Sequence, residues 1–331
     1  HWLVLLCIVL GVALWIGIRF DPKARFVATF VPILLVLQLA VLGVGLLRIN
    51  EPTPAPVVAA GTSVEEGLPS IWFIVLDSHA SPKVLRDQHG VDLSAETLGY
   101  EGAGFRVWDD ARANYTHTIV SVPSLLSGEI WDEDTNGESY ATMLAGLHGD
   151  TPLIAAIAES GFAVRMILSN WSRSGCGTLV DDCFEASRYD DHWFAWARTT
   201  SLAYVIPSLY ANPWPAGGVR ALETISTVSA DNDVSRHFTF VHALASHTPL
   251  ILNADCESVG LAAGSLGEQL ECTHRTVFEA LASIDLEDEI VIITADHGYG
   301  SGELSLDPST WTDAATRDVL SAFSAISTPI G

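Results

Sequence analysis

Five short apolar runs, separated by helical patterns, leave this chain few folds to choose from. SIWFIVL (70–76), FRVW (105–108, after Gly104), FAVRMIL (162–168), HFTFVHAL (237–244) and EIVIITA (289–295) read as strands, most of them apolar enough to be covered on both faces. TPLIAAIAESG (151–161) reads as a helix with a threonine cap and a glycine stop, and helical patterns recur around 220–230 and 266–284. Strands alternating with helices in this way predict an α/β fold built on a doubly wound, mostly parallel sheet across residues 70–331. In such sheets the functional groups collect at the carboxyl ends of the strands. No internal repeat is visible. Residues 170–219, rich in Trp, Gly, Ser and Asp, carry no readable pattern and are expected to form a surface insertion.

The front of the chain differs. Trp2–Ile18 and Phe26–Leu47 contain no charged residue, and each approaches or exceeds the length that spans a bilayer. They are expected to be two transmembrane helices (2–18 and 26–47). Arg19, Lys23 and Arg25 in the connector between them place it in the cytoplasm by the positive-inside rule. Everything after Arg48 is then extracytoplasmic, anchored to the cytoplasmic (inner) membrane. Residues 49–69 read as a linker kept extended by Pro52, Pro54 and Pro56. The chain opens on His1 inside an apolar run and stops at Gly331 without a terminal signal, so it is read as a fragment that lacks sequence at both ends.

Charge and cysteine usage fit that topology. Of 40 acids and 16 bases, one acid (Asp21) and four bases lie in the first fifty residues, which leaves 39 acids against 12 bases beyond them. That balance excludes a nucleic-acid partner, because phosphate backbones are held by Lys and Arg. Cys7 lies in the first apolar run, and the other four cysteines fall as local pairs. Outside the cytoplasm, Cys176 with Cys183 and Cys256 with Cys272 read as two disulfides, and the close C-x₂-C spacing of structural zinc is missing.

Three groups of reactive residues lie at or just after strand ends. Asp77 follows SIWFIVL, Asp296 and His297 follow EIVIITA, and Thr118 lies in ANYTHTIVSVPSLLSG (113–128) after FRVW. Two carboxylates, an imidazole and a hydroxyl at one sheet edge make a site for one divalent metal, and mixed N and O donors suit Zn²⁺ or Mn²⁺ better than Ca²⁺. Such an ion would activate the Thr118 hydroxyl as a nucleophile and neutralise a phosphoryl group. The competing reading is that Thr118 or Ser121 merely caps the following helix. Pro123 favours a helix that starts at Ser121, because it removes an early helical hydrogen bond. His247, in ASHTPL, is placed to bind a phosphoryl oxygen or protonate a leaving oxygen. His242, inside its strand, reads as a core residue, and His117 as a residue outside the immediate shell.

IWFIVLDSHASPKVL, ANYTHTIVSVPSLLSG, ASHTPL and VIITADHGYG, in that order, resemble the alkaline-phosphatase-like superfamily. The branch they look most like is the sulfatase-like, membrane-anchored group that includes lipoteichoic acid synthase and the phosphoethanolamine transferases of lipid A. The resemblance covers about residues 70–331. It implies Asp77, Thr118, Asp296 and His297 as metal ligands, Thr118 as nucleophile and His247 as a substrate-facing histidine. It also implies a membrane phospholipid donor and a lipid or glycan acceptor. The chain departs from sulfatases in carrying Thr118 where they place a Cys or Ser that becomes formylglycine, and in following Asp77 with Ser78. A threonine cannot become formylglycine, which implies phosphoryl rather than sulfuryl transfer. Hydrolysis of a sulfuric or phosphoric ester, and a non-catalytic binding ectodomain, are the other two readings.

Overall fold

The computed structural model describes residues 68–130, 140–169, 171, 175–186, 214–230, 236–259, 263–300 and 308–329. The two charge-free runs, and the linker up to residue 67, lie outside the described residues. Among the described residues no helix is long and apolar enough to cross a membrane.

Among the described residues seven strands form one sheet. In chain order they are β1 (Ile71–Leu76), β2 (Arg106–Val107), β3 (Ala163–Leu168), β4 (Asp182–Glu185), β5 (His237–Ala243), β6 (Ile290–Thr294) and β7 (Ser324–Ser327). Across the sheet the order is β2-β7-β6-β1-β5-β3-β4. β1 sits centrally, parallel to β5 on one side (Ile71 opposite Phe238) and to β6 on the other (Ile71 opposite Ile290). β7 runs against both of its neighbours, β6 and β2, so the other six strands share one direction. The sheet is therefore mostly parallel, as the alternation predicts. FRVW shrinks to the two-residue edge strand β2, and its hydrogen bonds go to β7, which the sequence reading does not contain.

Period-2 alternation sends successive side chains to opposite faces of the sheet. Trp72, Ile74 and Leu76 of β1 join Val241, Ala243, Val291 and Ile293 in one core. That face is covered by α1 (Ser94–Gly102), α5 (Trp214–Ser229) and α6 (Leu266–Leu281). Val75 of β1, with Phe238, Phe240, Val164 and Met166, faces the other core, covered by α2 (Thr118–Ser127), α3 (Tyr140–Leu147) and α4 (Pro152–Glu159). α7 (Asp313–Leu320) leads into β7. Helices thus cover both faces, the double winding expected of the pattern. α4 is capped as read, with the Thr151 hydroxyl accepting from the Ile154 N–H at 3.2 Å.

Both expected disulfides are present, Cys176–Cys183 and Cys256–Cys272. The first ties β4 to the segment before it, and the second ties α6 to the loop after β5. They close loops of sequence separation 7 and 16. The chain-entropy relation assigns about 2.5 and about 3 kcal/mol to loops of this size. Replacing Cys256 and Cys272 together by serine should therefore lower unfolding stability by about 3 kcal/mol. Urea titration of parent and variant measures this, and an unchanged midpoint would contradict it.

Candidate metal centre

β1 and β6 are neighbours in register, with Val75 opposite Thr294, so the residues that leave their carboxyl ends emerge side by side. Continuing the alternation, Asp77 and Asp296 fall on the face covered by α2. The Asp77 N–H bonds the Ala243 carbonyl at 2.9 Å, and its own carbonyl accepts from the Ser246 hydroxyl at 2.7 Å. Asp296 Oδ1 accepts two N–H groups, from Ser78 at 3.1 Å and from His297 at 2.9 Å. The turn that presents His297 admits only glycine next: a Cβ on Gly298 would stand 1.8 Å from the Asp318 carbonyl oxygen.

Thr118 opens α2 from the opposite side of this edge. The helix begins there and not at Ser121 as Pro123 led one to expect. Val120 and Ser121 both donate to the carbonyl of the N-cap residue His117. Pro123 sits inside the helix and only its own bond to the Ile119 carbonyl is forgone. Neither hydroxyl caps this helix. Ser121 donates to the Asp296 carbonyl. Thr118 Oγ1 lies 3.2 Å from Asp77 Oδ2 and 3.2 Å from His297 Nε2, with the residue 8 % exposed. The His297 Nδ1 is 2.8 Å from the Gly298 carbonyl, which only accepts, so Nδ1 carries the proton and Nε2 offers a lone pair to the centre.

Histidines complete the surround. His247 stands with Nε2 3.8 Å from Asp77 Oδ1, its Nδ1 on the Thr248 carbonyl and its carbonyl held by Gln269 Nε2 at 2.8 Å. The Trp214 ring meets it edge-on at 5.3 Å. His242 corrects the sequence reading. It is buried, as a core residue would be, but its Nε2 donates to Asp77 Oδ2 at 2.9 Å. The signal that would have found it is the pairing of β5 with β1, which sets His242 opposite Val75, two residues before Asp77. His117 is exposed, with Nδ1 2.7 Å from the Thr116 hydroxyl, and stays outside the centre.

The electrostatics favour a cation. Burial alone would raise the Asp77 pKa, but His247, His242 and His297 around it hold it well below the ordinary carboxylate value. Burial and the neighbouring Asp77 charge push Asp296 up. Burial would lower His297, yet Asp296 and Asp77 raise it above the usual imidazole range. Two buried carboxylates so close repel each other unless positive charge lies between them. Asp77 Oδ1 and Asp296 Oδ2 are buried with no hydrogen-bond partner. Unpaired anionic oxygens are costly in an interior. Ligand atoms of Asp77, Asp296 and His297 all lie within 4.8 Å of one another, the spacing of a metal site. The residues therefore fit one divalent ion with mixed oxygen and nitrogen donors.

The chain is thus an α/β domain with a candidate metal cluster at the carboxyl edge of its sheet. No family model and no curated protein matches the chain. Among solved structures, the C-terminal periplasmic domain of EcEptC from Escherichia coli, in complex with Zn, is similar with a TM-score of 0.53 at 13 % identity. The match covers 80 % of this chain and 74 % of that one. The lipoteichoic acid synthase LtaP from Listeria monocytogenes is matched with a TM-score of 0.49 at 13 % identity, over 82 % of this chain and 70 % of that one. What the EcEptC domain and this chain share is the fold.

Proposed function

We propose that this chain is a metal-dependent phosphotransferase that uses Thr118 as nucleophile on a phospholipid-type donor. The observation that carries the reading is the Thr118 hydroxyl. At a helix start where hydroxyls ordinarily cap, it turns instead into a buried cluster of two carboxylates and an imidazole.

Asp77, Asp296 and His297 would hold one divalent ion, Zn²⁺ or Mn²⁺, with Thr118 as a further ligand. When bound, such an ion supplies positive charge that lowers the hydroxyl pKa and neutralises a phosphoryl oxygen. The chain's own groups do the rest. The Thr118 hydroxyl proton has an acceptor within reach in Asp77 Oδ2, since the lone pair of His297 Nε2 would be taken by the ion. Oγ1 attacks phosphorus, the new O–P bond replaces the bond to the leaving alkoxide, and the group rests on threonine as a phosphodiester. His247 protonates the leaving oxygen. With Nδ1 donating to the Thr248 carbonyl, a neutral ring would leave Nε2 bare, so His247 would act here as the imidazolium, giving up its Nε2 proton. His242 orients the Asp77 carboxylate from behind. A lipid or glycan hydroxyl then takes the group by the reverse sequence.

The proposal extends to the setting. Two charge-free runs, a basic connector and two disulfides favour a membrane-anchored enzyme whose domain works outside the cytoplasm. The periplasmic, zinc-containing neighbour is in keeping with that.

The deciding experiment incubates the purified protein, loaded with Zn²⁺ or Mn²⁺, with candidate phospholipids and maps peptides by mass spectrometry. A donor-derived phosphoryl adduct on Thr118 is expected. A donor that turns over with the adduct elsewhere would refute the assignment. The ligand set has its own check. Asp77→Ala and His297→Ala should each reduce bound metal to less than about a tenth of the parent, while circular dichroism stays unchanged, because strand-end residues do not carry the sheet core. Metal contents equal to the parent's in both would remove the site.

A further inference from the structure

Two residues beyond Asp77 the chain turns back into the interior at His79, which has no exposure to solvent. His79 Nδ1 lies 2.8 Å from the Ala80 carbonyl, and its Nε2 2.9 Å from Nε2 of His274. Nδ1 of His274 lies 2.9 Å from the Tyr100 hydroxyl. One end fixes every proton in this chain. A carbonyl only accepts, so His79 is protonated on Nδ1 and accepts at Nε2. His274 must then donate from Nε2, and its bare Nδ1 accepts from Tyr100. Side chains from the β1 loop, α6 and α1 thus form a one-way relay with every nitrogen satisfied and no charge. Phe323 packs against His79, His274 and Tyr100 at 4.9, 5.3 and 5.5 Å, and its N–H bonds the His79 carbonyl at 2.8 Å.

Between Asp77 and His79 stands Ser78 with φ +61°, a left-handed conformation that disfavours any L-residue with a side chain. Held there, its N–H reaches Asp296 Oδ1 at 3.1 Å. One strained residue therefore links the loop that carries Asp77 to the carboxylate of Asp296. Such a residue persists only when its surroundings over-determine it. On its far side stands the relay, through the adjacent His79. An apolar filling of the same space would not need one set of rotamers, whereas the relay closes in only one.

We infer that the His79–His274–Tyr100 relay is a positioning device: it keeps Ser78 left-handed and so sets the spacing of Asp77 and Asp296. Its consequence for metal affinity rests on the ligand reading proposed above, but the geometric claim does not.

The test is amide hydrogen exchange of residues 78–81 in the metal-free full chain, compared among parent, His274→Leu and Tyr100→Phe, each with and without Ser78→Gly. Tyr100→Phe deletes one hydroxyl and keeps the ring, so it covers the case where His274→Leu does not fold. Either relay variant should speed exchange of the Ser78 amide by about tenfold or more, while β3 amides keep their rates. Adding Ser78→Gly should bring that amide back to within about twofold of the parent, because glycine adopts the left-handed conformation without support. Zn²⁺ affinity, by calorimetry, should fall about tenfold with the relay variants and return with Ser78→Gly. A Ser78 amide that ignores both relay variants would overturn the inference. So would acceleration shared equally with β3 and untouched by Ser78→Gly. A parent that binds no Zn²⁺ would sink the metal reading alone, and the exchange pattern would still decide the relay.

Discussion

Thr118→Ala should abolish phosphodiester turnover while the fold survives. The hydroxyl makes no helix cap: α2 begins on the His117 carbonyl and is held by Val122 and Leu126, both buried. Its two polar contacts are Asp77 and His297, so what the substitution removes is confined to the site. Deleting a nucleophile from a concerted set typically costs about 10⁴-fold or more. The three proposed ligand side chains remain in Thr118→Ala, so metal content should stay largely in place. Thr118→Ser keeps the oxygen but loses the methyl that fixes its rotamer, and a loss of about 10²-fold fits that small misplacement. The measurement pairs an aryl phosphodiester with the matched aryl sulfate on the metal-loaded protein. An unmodified threonine should act on the phosphodiester. Sulfate release without diester cleavage, or a Thr118→Ala variant as active as the parent, would overturn the mechanism.

The central strands were legible because burial on both faces writes itself as an apolar run. β5 is buried at all seven positions, and β1 and β6 are read within a residue or two of their ends. Two strands were not legible. β4 is four residues at the sheet edge with alternate positions exposed, in DCFE, and β7 is SAIS, whose hydroxyls carry little hydrophobic signal. Both owe their state to a neighbour that supplies hydrogen bonds, β3 in one case and β6 in the other. Such tertiary context lies outside any local pattern. α7 shows the same limit, since DAATRDVL buries only Asp318 and Val319.

At the site, residue types at strand ends singled out Asp77, Asp296, His297, Thr118 and His247 as candidates, and the geometry brings all five to one edge. What could not be read was register. His242 and His247 are five residues apart, and both meet the Asp77 carboxylate, one from within the strand and one from the loop beyond it. Without knowing that β5 lies beside β1, an imidazole inside an apolar strand reads as filling. The relay is hidden for the same reason: His79, Tyr100 and His274 are far apart in sequence and meet only through packing.

That relay should also make the domain acid-sensitive in a defined window. Burial pushes His79 down to about 4, and His274 is likewise lowered, by burial first and then by His79 beside it. In the unfolded chain both titrate near 6.5. Between pH 6.5 and 4 the unfolded state therefore binds protons that the folded state refuses, and stability falls as pH falls. It is complete above the unfolded value. For His79 alone the displacement corresponds to about 3 kcal/mol, and His274 adds to it. His297 opposes this, since its raised pKa stabilises the folded state below the unfolded value and is lost as pH rises through the folded one. Asp77 acts in a lower window: its depressed pKa gives stability present above the ordinary carboxylate range and lost only below it. Urea unfolding from pH 7.5 to 4.2, with a chelator present so that metal release does not enter, should show a steady fall in midpoint below pH 6.5. With His79 and His274 both replaced by leucine, no buried imidazole remains in the relay to refuse a proton. The fall across that window should then shrink by about 3 kcal/mol or more. Parallel losses in parent and double variant would show that the relay is not the acid-sensitive element.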